Sequence, residues 1–188
     1  MTQYQAALAE LGQVFDRLND ARVDMVVERL AAARRIVVFG AGRERLQVMG
    51  LAMRLFHMGL EASVAGDMTA PPVGRGDVFL AVCGPGWLST AEAMMRVAKD
   101  AGAEVIVITA QPGGRVVPLA DLVLHLPAQT MADDPGAGDQ AAAKPSTLPM
   151  GSLFEGALFV LCEVMVLRLM SRLGISAEAM RARHTNLE

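Results

Sequence analysis

Five short runs set the terms for any fold of this chain: Ile36–Phe39, Ala62–Ala65, Asp77–Cys83, Glu104–Thr109 and Leu122–Leu126. The first, third and fourth are apolar almost throughout and dense in Val and Ile, with no alternating polar face. A strand of that kind must be covered on both sides, as parallel strands between two helix layers are. Three of the runs feed glycine-rich turns: Gly40-Ala41-Gly42-Arg43, Gly84-Pro85-Gly86 and Ala110-Gln111-Pro112-Gly113-Gly114. Helical stretches follow the turns: Glu44 to Met58 stopped by Gly59, one reaching Ala101, and a short one near Val116–Leu119. This repetition predicts an α/β fold, a parallel sheet with helices on both faces. Ligands of such sheets sit outside the carboxyl ends of the strands, where the strand order reverses.

At 188 residues the chain has the length of one domain with a substantial core. Residues 1–34 carry apolar side chains at Leu8, Leu11, Phe15 and Leu18, then at Val23, Val26, Val27 and Leu30. That periodicity predicts two helices broken near Asn19-Asp20. Residues 128–147 have no periodicity and read as a long loop. After Pro149-Met150-Gly151 comes a long apolar helix to Leu173 and then a tail, together residues 150–188.

Charge and side-chain inventory exclude several classes. Glu155, Glu163, Arg168 and Arg172 interrupt the long helix, and charges are costly at bilayer depth, so it is expected to be a core or interface helix. A net charge of −3, with one Trp and one Tyr, offers nucleic acid neither a basic field nor stacking surfaces. The two cysteines suggest neither a disulfide nor a metal site, and no signal-peptide pattern opens the chain, so the cytoplasm is the expected compartment. Three scattered histidines without ligand spacing predict no metal, and no cofactor is expected.

Three sets of residues carry a family resemblance. They are Gly40-Ala41-Gly42-Arg43 with Ala52 to Gly59, Val105–Thr109 with Leu119-Ala120-Asp121, and Pro149 to Glu155 with Arg183 to Glu188. In this order they resemble the sugar isomerase (SIS) domain family, and more narrowly the 6-phospho-3-hexuloisomerases. The resemblance implies a flavodoxin-like three-layer α-β-α sandwich on a five-stranded parallel sheet. It also implies a 1,2-carbonyl shift through an enediol on a sugar or sugar phosphate, and a homo-oligomer, expected as a tetramer. Glu155 matches the family's base, and His184 matches the tail histidine that reaches a neighbouring subunit's site. Proton abstraction beside a carbonyl needs a group whose pKa lies near the working pH.

The departures gather where the family holds phosphate. Its usual Ser-Gly-Ser-Gly loop here reads Cys83-Gly84-Pro85-Gly86, followed by Trp87-Leu88-Ser89-Thr90. Pro85 lacks a backbone N–H, Glu44 stands where a hydroxyl would be, and Thr109-Ala110-Gln111 replaces Thr-Ser-Asn. Candidate substrate contacts are therefore Gly42, Arg43, Glu44, Cys83, Gly84, Gly86, Ser89, Thr90 and Thr109. Three readings follow. Ser89, Thr90, Arg43 and a helix N-terminus rebuild a phosphate site; or the pocket takes another sugar, unphosphorylated or cationic, through Glu44; or the domain binds without turnover. The favoured reading is an isomerase acting on an altered sugar.

Each candidate also has a plainer role. Glu155 suits the first turn of a helix, and His57 suits a last turn. Arg43 has Glu44 or Asp67 as possible partners, and Glu163 is expected in an interface ion pair. Cys83 has no neighbouring base that would activate it, and His125 reads as a strand residue.

Overall fold

The computed structural model describes residues 1–133 and 145–187. Two helices open the chain, α1 (Gln3–Asp16) and α2 (Asp20–Ala32). Thr2 and Gln5 form a reciprocal capping box at the start of α1, and the Asn19 side chain accepts from Arg22 N–H to start α2. The sheet follows as β1 (Ile36–Phe39), β2 (Ala62–Val64), β3 (Val78–Val82), β4 (Glu104–Thr109) and β5 (Leu122–His125). Between the strands lie α3 (Gly42–His57) after β1 and α4 (Ser89–Asp100) after β3. The chain closes with α5 (Ser152–Leu173), which ends on Gly174 in the left-handed conformation, and a short α6 (Ala177–Arg181).

All five strands are parallel, in the order β2-β1-β3-β4-β5. The chain runs from β1 outward to β2 and then crosses back, so the order reverses between β1 and β3. One face of the sheet packs against α1, α2, α3 and α5 through Val26, Leu30, Leu51, Leu55, Leu158 and Leu161. The other is covered by α4 through Ala91, Met95 and Ala98, with Val116 beside them. The expected three-layer sandwich is present, with unequal layers. The strands alternate between the two cores: Leu80 and Val82 face the first, Phe79, Ala81 and Cys83 the second.

The predicted loop of 128–147 includes residues 134–144, which lie outside the described residues. Its near end forms a 3-10 turn, Met131–Asp133. Its far end is tied to α1, where Glu10 accepts from the Thr147 N–H at 3.0 Å and from the hydroxyls of Ser146 and Thr147. Glu163, expected in an interface ion pair, pairs within the chain instead, with Arg54 on α3 at 3.4 Å.

A buried carboxylate pins the entrance to β3. Asp77 is 1% exposed; it accepts two bonds from the Arg34 fork, at 2.9 and 3.0 Å, and one from Gly74 N–H at 2.9 Å. Burial pushes its pKa up, but these bonds outweigh burial and hold the carboxyl below its ordinary value. Asp77→Ala is expected to cost about 2 kcal/mol, because it strips the Gly74 N–H and the guanidinium of their acceptor. Urea unfolding checks this; an unchanged midpoint would dismiss the clamp.

Candidate active site

The reversal between β1 and β3 places two glycine-rich turns side by side, and a pocket of about 260 Å³ opens there. Its walls include Arg43 and Glu44 from α3, Pro85 from the turn after β3, and Thr130 and Met131 from the loop after β5. Met150, Phe154 and Glu155, at the start of α5, close it. Clefts of about 490, 510 and 560 Å³ lie elsewhere, and none is lined by Glu44 or Glu155. The smaller pocket is the candidate site, because it joins the switch point of the sheet to paired titratable groups.

Glu155 stands in the first turn of α5, mostly buried, with its Oε2 2.6 Å from Arg43 Nε. The contact is an ion pair not aligned as a hydrogen bond. The expected alternatives for Arg43, Glu44 and Asp67, are therefore corrected: Asp67 is held by Arg45 at 2.8 Å. The residue before Gly151 adds local strain, since Met150 has φ 55°, a left-handed backbone that side chains with a Cβ adopt at a cost.

Glu44 is the least expected feature. It is 8% exposed, its Oε1 accepts the Gly84 N–H at 2.9 Å, and its Oε2 is buried without a hydrogen-bond partner. Burial pushes the carboxyl up to about 7, and the negative charge of Glu155 adds to the shift against the pull of the Gly84 N–H. The approach needs a glycine at position 84: a Cβ there would lie 2.6 Å from Glu44 Oε1 and 2.9 Å from the Phe154 ring. Gly84→Ala is therefore expected to displace Glu44 and cost about 1–3 kcal/mol. Thermal unfolding tests this, and a wild-type Tm would show that the pocket wall gives way freely.

Several sequence candidates fall elsewhere. Cys83 is completely buried in the core beneath α4, and burial, with the Glu44 charge adding, pushes its thiol up to about 12. Cys83 is not among the residues that line the pocket, so the structure places this candidate side chain beneath α4 instead. Thr109 is likewise absent from the pocket lining: its buried hydroxyl donates to Gly84 O at 3.3 Å and accepts from Gln111 N–H at 3.1 Å, bracing the turn. Gly86 has φ 78° and packs so closely on Gln111 and Gly114 that a Cβ would clash; Gly42, φ 55°, opens α3. Ser89 and Thr90 are exposed at the start of α4 and do not line the pocket. No side chain caps the α4 N-terminus.

His184 is not near Glu155 within the chain. Its ring packs against that of His57, centroids 5.1 Å apart, at the far end of α3. Arg43 opens that helix and His57 ends it, about 20 Å apart along the axis. His57 is buried, and His125 Nε2 lies 3.0 Å from Ala110 O. Thr130, Met131 and Phe154 line the pocket without having been singled out in the sequence, and Pro85, noted there only for its missing N–H, lines it as well. No group of three or more potential metal ligands occurs among the described residues, and no described helix is long and apolar enough to cross a membrane.

Comparison with known proteins fits this architecture. Residues 29–152 match the model of the SIS domain. The chain is 32% identical to the 3-hexulose-6-phosphate isomerase of Methylomonas aminofaciens, with all of both chains covered. It is 34% identical to the enzyme of the same name from Mycobacterium gastri, covering 95% of this chain and 86% of that one. Its fold superposes on a hypothetical protein of Methanococcus jannaschii with a TM-score of 0.84 at 23% identity, covering 100% of both chains; that structure was taken to infer a 3-hexulose-6-phosphate isomerase. With a family match over most of its length and relatives at this identity, the chain belongs to the SIS domain family.

Proposed function

We propose that residues 1–188, acting as one SIS domain, form a sugar-phosphate isomerase that interconverts 3-hexulose 6-phosphate and fructose 6-phosphate through an enediol. The observation that carries the reading is the Glu155–Arg43 pair on the wall of a pocket at the sheet's switch point. Glu155 takes the proton from the carbon beside the carbonyl and returns it to the neighbouring carbon. Arg43, the cation among the pocket's lining residues, holds the carboxylate in place and offsets the charge that develops as the enediol forms. The phosphate extends out of the pocket past Arg43 to the uncapped first turn of α4, where the exposed Ser89 and Thr90 serve as hydroxyl donors in place of the family's missing serines.

The working form is a cytoplasmic homotetramer. Support comes from apolar side chains exposed on two packed helices: Met49, Met53 and Phe56 on α3, and Phe159, Val160 and Leu167 on α5. The separation of His184 from Glu155 fits the same reading, with the histidine serving the pocket of another copy. Conversion of 3-hexulose 6-phosphate to fructose 6-phosphate by the purified chain tests the function. Turnover with the phosphorylated sugar and none with free 3-hexulose is the expected result. Saturable binding without turnover in a folded sample would overturn it in favour of a binding protein.

A further inference from the structure

An isomerisation through an enediol moves two protons. One passes between carbons, and the other between oxygens, and Glu155 accounts only for the first. The pocket holds a second carboxyl, Glu44, on the neighbouring helix. One of its oxygens is fixed by the Gly84 N–H, while the other is buried with no hydrogen-bond partner. An orphaned polar atom in a closed wall costs stability unless something fills its valence. Here the filled pocket supplies it.

Building on the isomerase reading, we infer that Glu44 is the acid that moves the oxygen proton of the substrate, a second catalytic residue opposite Glu155. In the forward direction Glu155 removes the proton from the carbon next to the carbonyl. The C–H electron pair becomes the C=C bond, the carbonyl π pair moves onto oxygen, and that oxygen takes the proton of Glu44. The enediol then collapses. The Glu44 carboxylate removes the proton of the adjacent hydroxyl, whose O–H pair becomes the new carbonyl. The C=C pair takes the proton from Glu155 at the former carbonyl carbon, so both acids end as they began.

The surroundings suit this division. Glu44 on α3 shares the pocket wall with Glu155 on α5 and with its own neighbour Arg43, and the un-ionised Cys83 thiol lies close enough to sense its charge. Arg45, its other neighbour in sequence, is turned toward Ala65 O and Asp67. Burial and the charge of Glu155 keep the Glu44 proton in place up to about pH 7. Arg43 is paired to Glu155, leaving one carboxyl charged and the other able to donate. This acid stands where the family resemblance places a hydroxyl, so the chain gains a proton donor at that position.

The test is Glu44→Gln, which keeps the shape and the acceptor for Gly84 N–H while removing the transferable proton. With 3-hexulose 6-phosphate, kcat is expected to fall at least about 100-fold while KM changes less than about threefold. In the wild type, kcat should decline as pH rises above about 7, where the acid is lost, and the variant's residual rate should lack that limb. A variant with kcat within threefold of wild type and the same limb would overturn the assignment. If Glu44→Gln does not fold, the wild-type profile decides, and a kcat flat through that pH range overturns the inference. A wild-type chain that does not convert the substrate at all is a different failure: the isomerase reading falls, and the Glu44 role with it.

Discussion

Glu155→Gln is expected to lower kcat for 3-hexulose 6-phosphate about a thousandfold with little change in stability. General acid–base groups contribute on the order of 100- to 10,000-fold, and the amide keeps the size of the side chain while losing the basic oxygen. Binding should survive, because the proposed phosphate contacts lie at Arg43 and α4, so the loss appears in kcat and not in KM. Folding should survive too. Arg43 is largely exposed, and ion pairs with an exposed partner contribute about 0–1 kcal/mol. Deuterium supplies an independent reading. In heavy water the wild-type product should carry label at the carbon that receives the proton, and the variant should incorporate it proportionately more slowly. A variant retaining more than a tenth of wild-type turnover would remove Glu155 from the role of base.

The second large effect concerns stability and needs no substrate. The Glu44 carboxyl titrates at about 7 in the folded chain, against an ordinary value of 4.5. Between these values the folded state keeps a proton that the unfolded state has released. Stability from this group is therefore fully present below about pH 4.5 and lost as pH rises through about 7. Two and a half pH units at about 1.4 kcal/mol each give a loss of about 3 kcal/mol. Urea unfolding of wild type and Glu44→Gln at pH 5 and pH 8, at one protein concentration, isolates it, since every other titrating group is common to both. The wild type should lose about 2–3 kcal/mol more than the variant between the two pH values, since part of the loss is already complete at pH 5. Equal losses would mean that Glu44 is ionised in the folded protein at neutral pH.

The sheet was legible because its strands are apolar on both faces and end in glycine, a pattern helices do not share. Element limits moved by only a residue or two, as at α3, which begins at Gly42 instead of Glu44. Two of the candidate side chains lie away from the pocket for a reason the sequence contained. Cys83 continues the parity of Phe79 and Ala81, and Thr109 that of Val105 and Val107, so both side chains turn toward the α4 layer instead of the pocket. The Arg43–Glu155 pair was illegible, because it joins positions 112 residues apart through the packing of α3 on α5. The burial of Glu44 was hidden as well. A first-turn acid ordinarily faces solvent, and only the close approach allowed by Gly84 draws this one inward.

The unequal layers of the sandwich have a consequence for synthesis. The α4 side is complete once β5 has been made, since its core draws on residues 37–123. The opposite side is not, because α1, α2 and α3 all pack on α5, whose first residue is Ser152. A nascent chain thus carries one finished core and one open apolar face until its last long helix leaves the ribosome. Partly made chains with exposed sheet-covering surfaces are prone to aggregate or to engage chaperones. A truncation between β5 and α5 leaves that face permanently incomplete, although every strand of the sheet is already present.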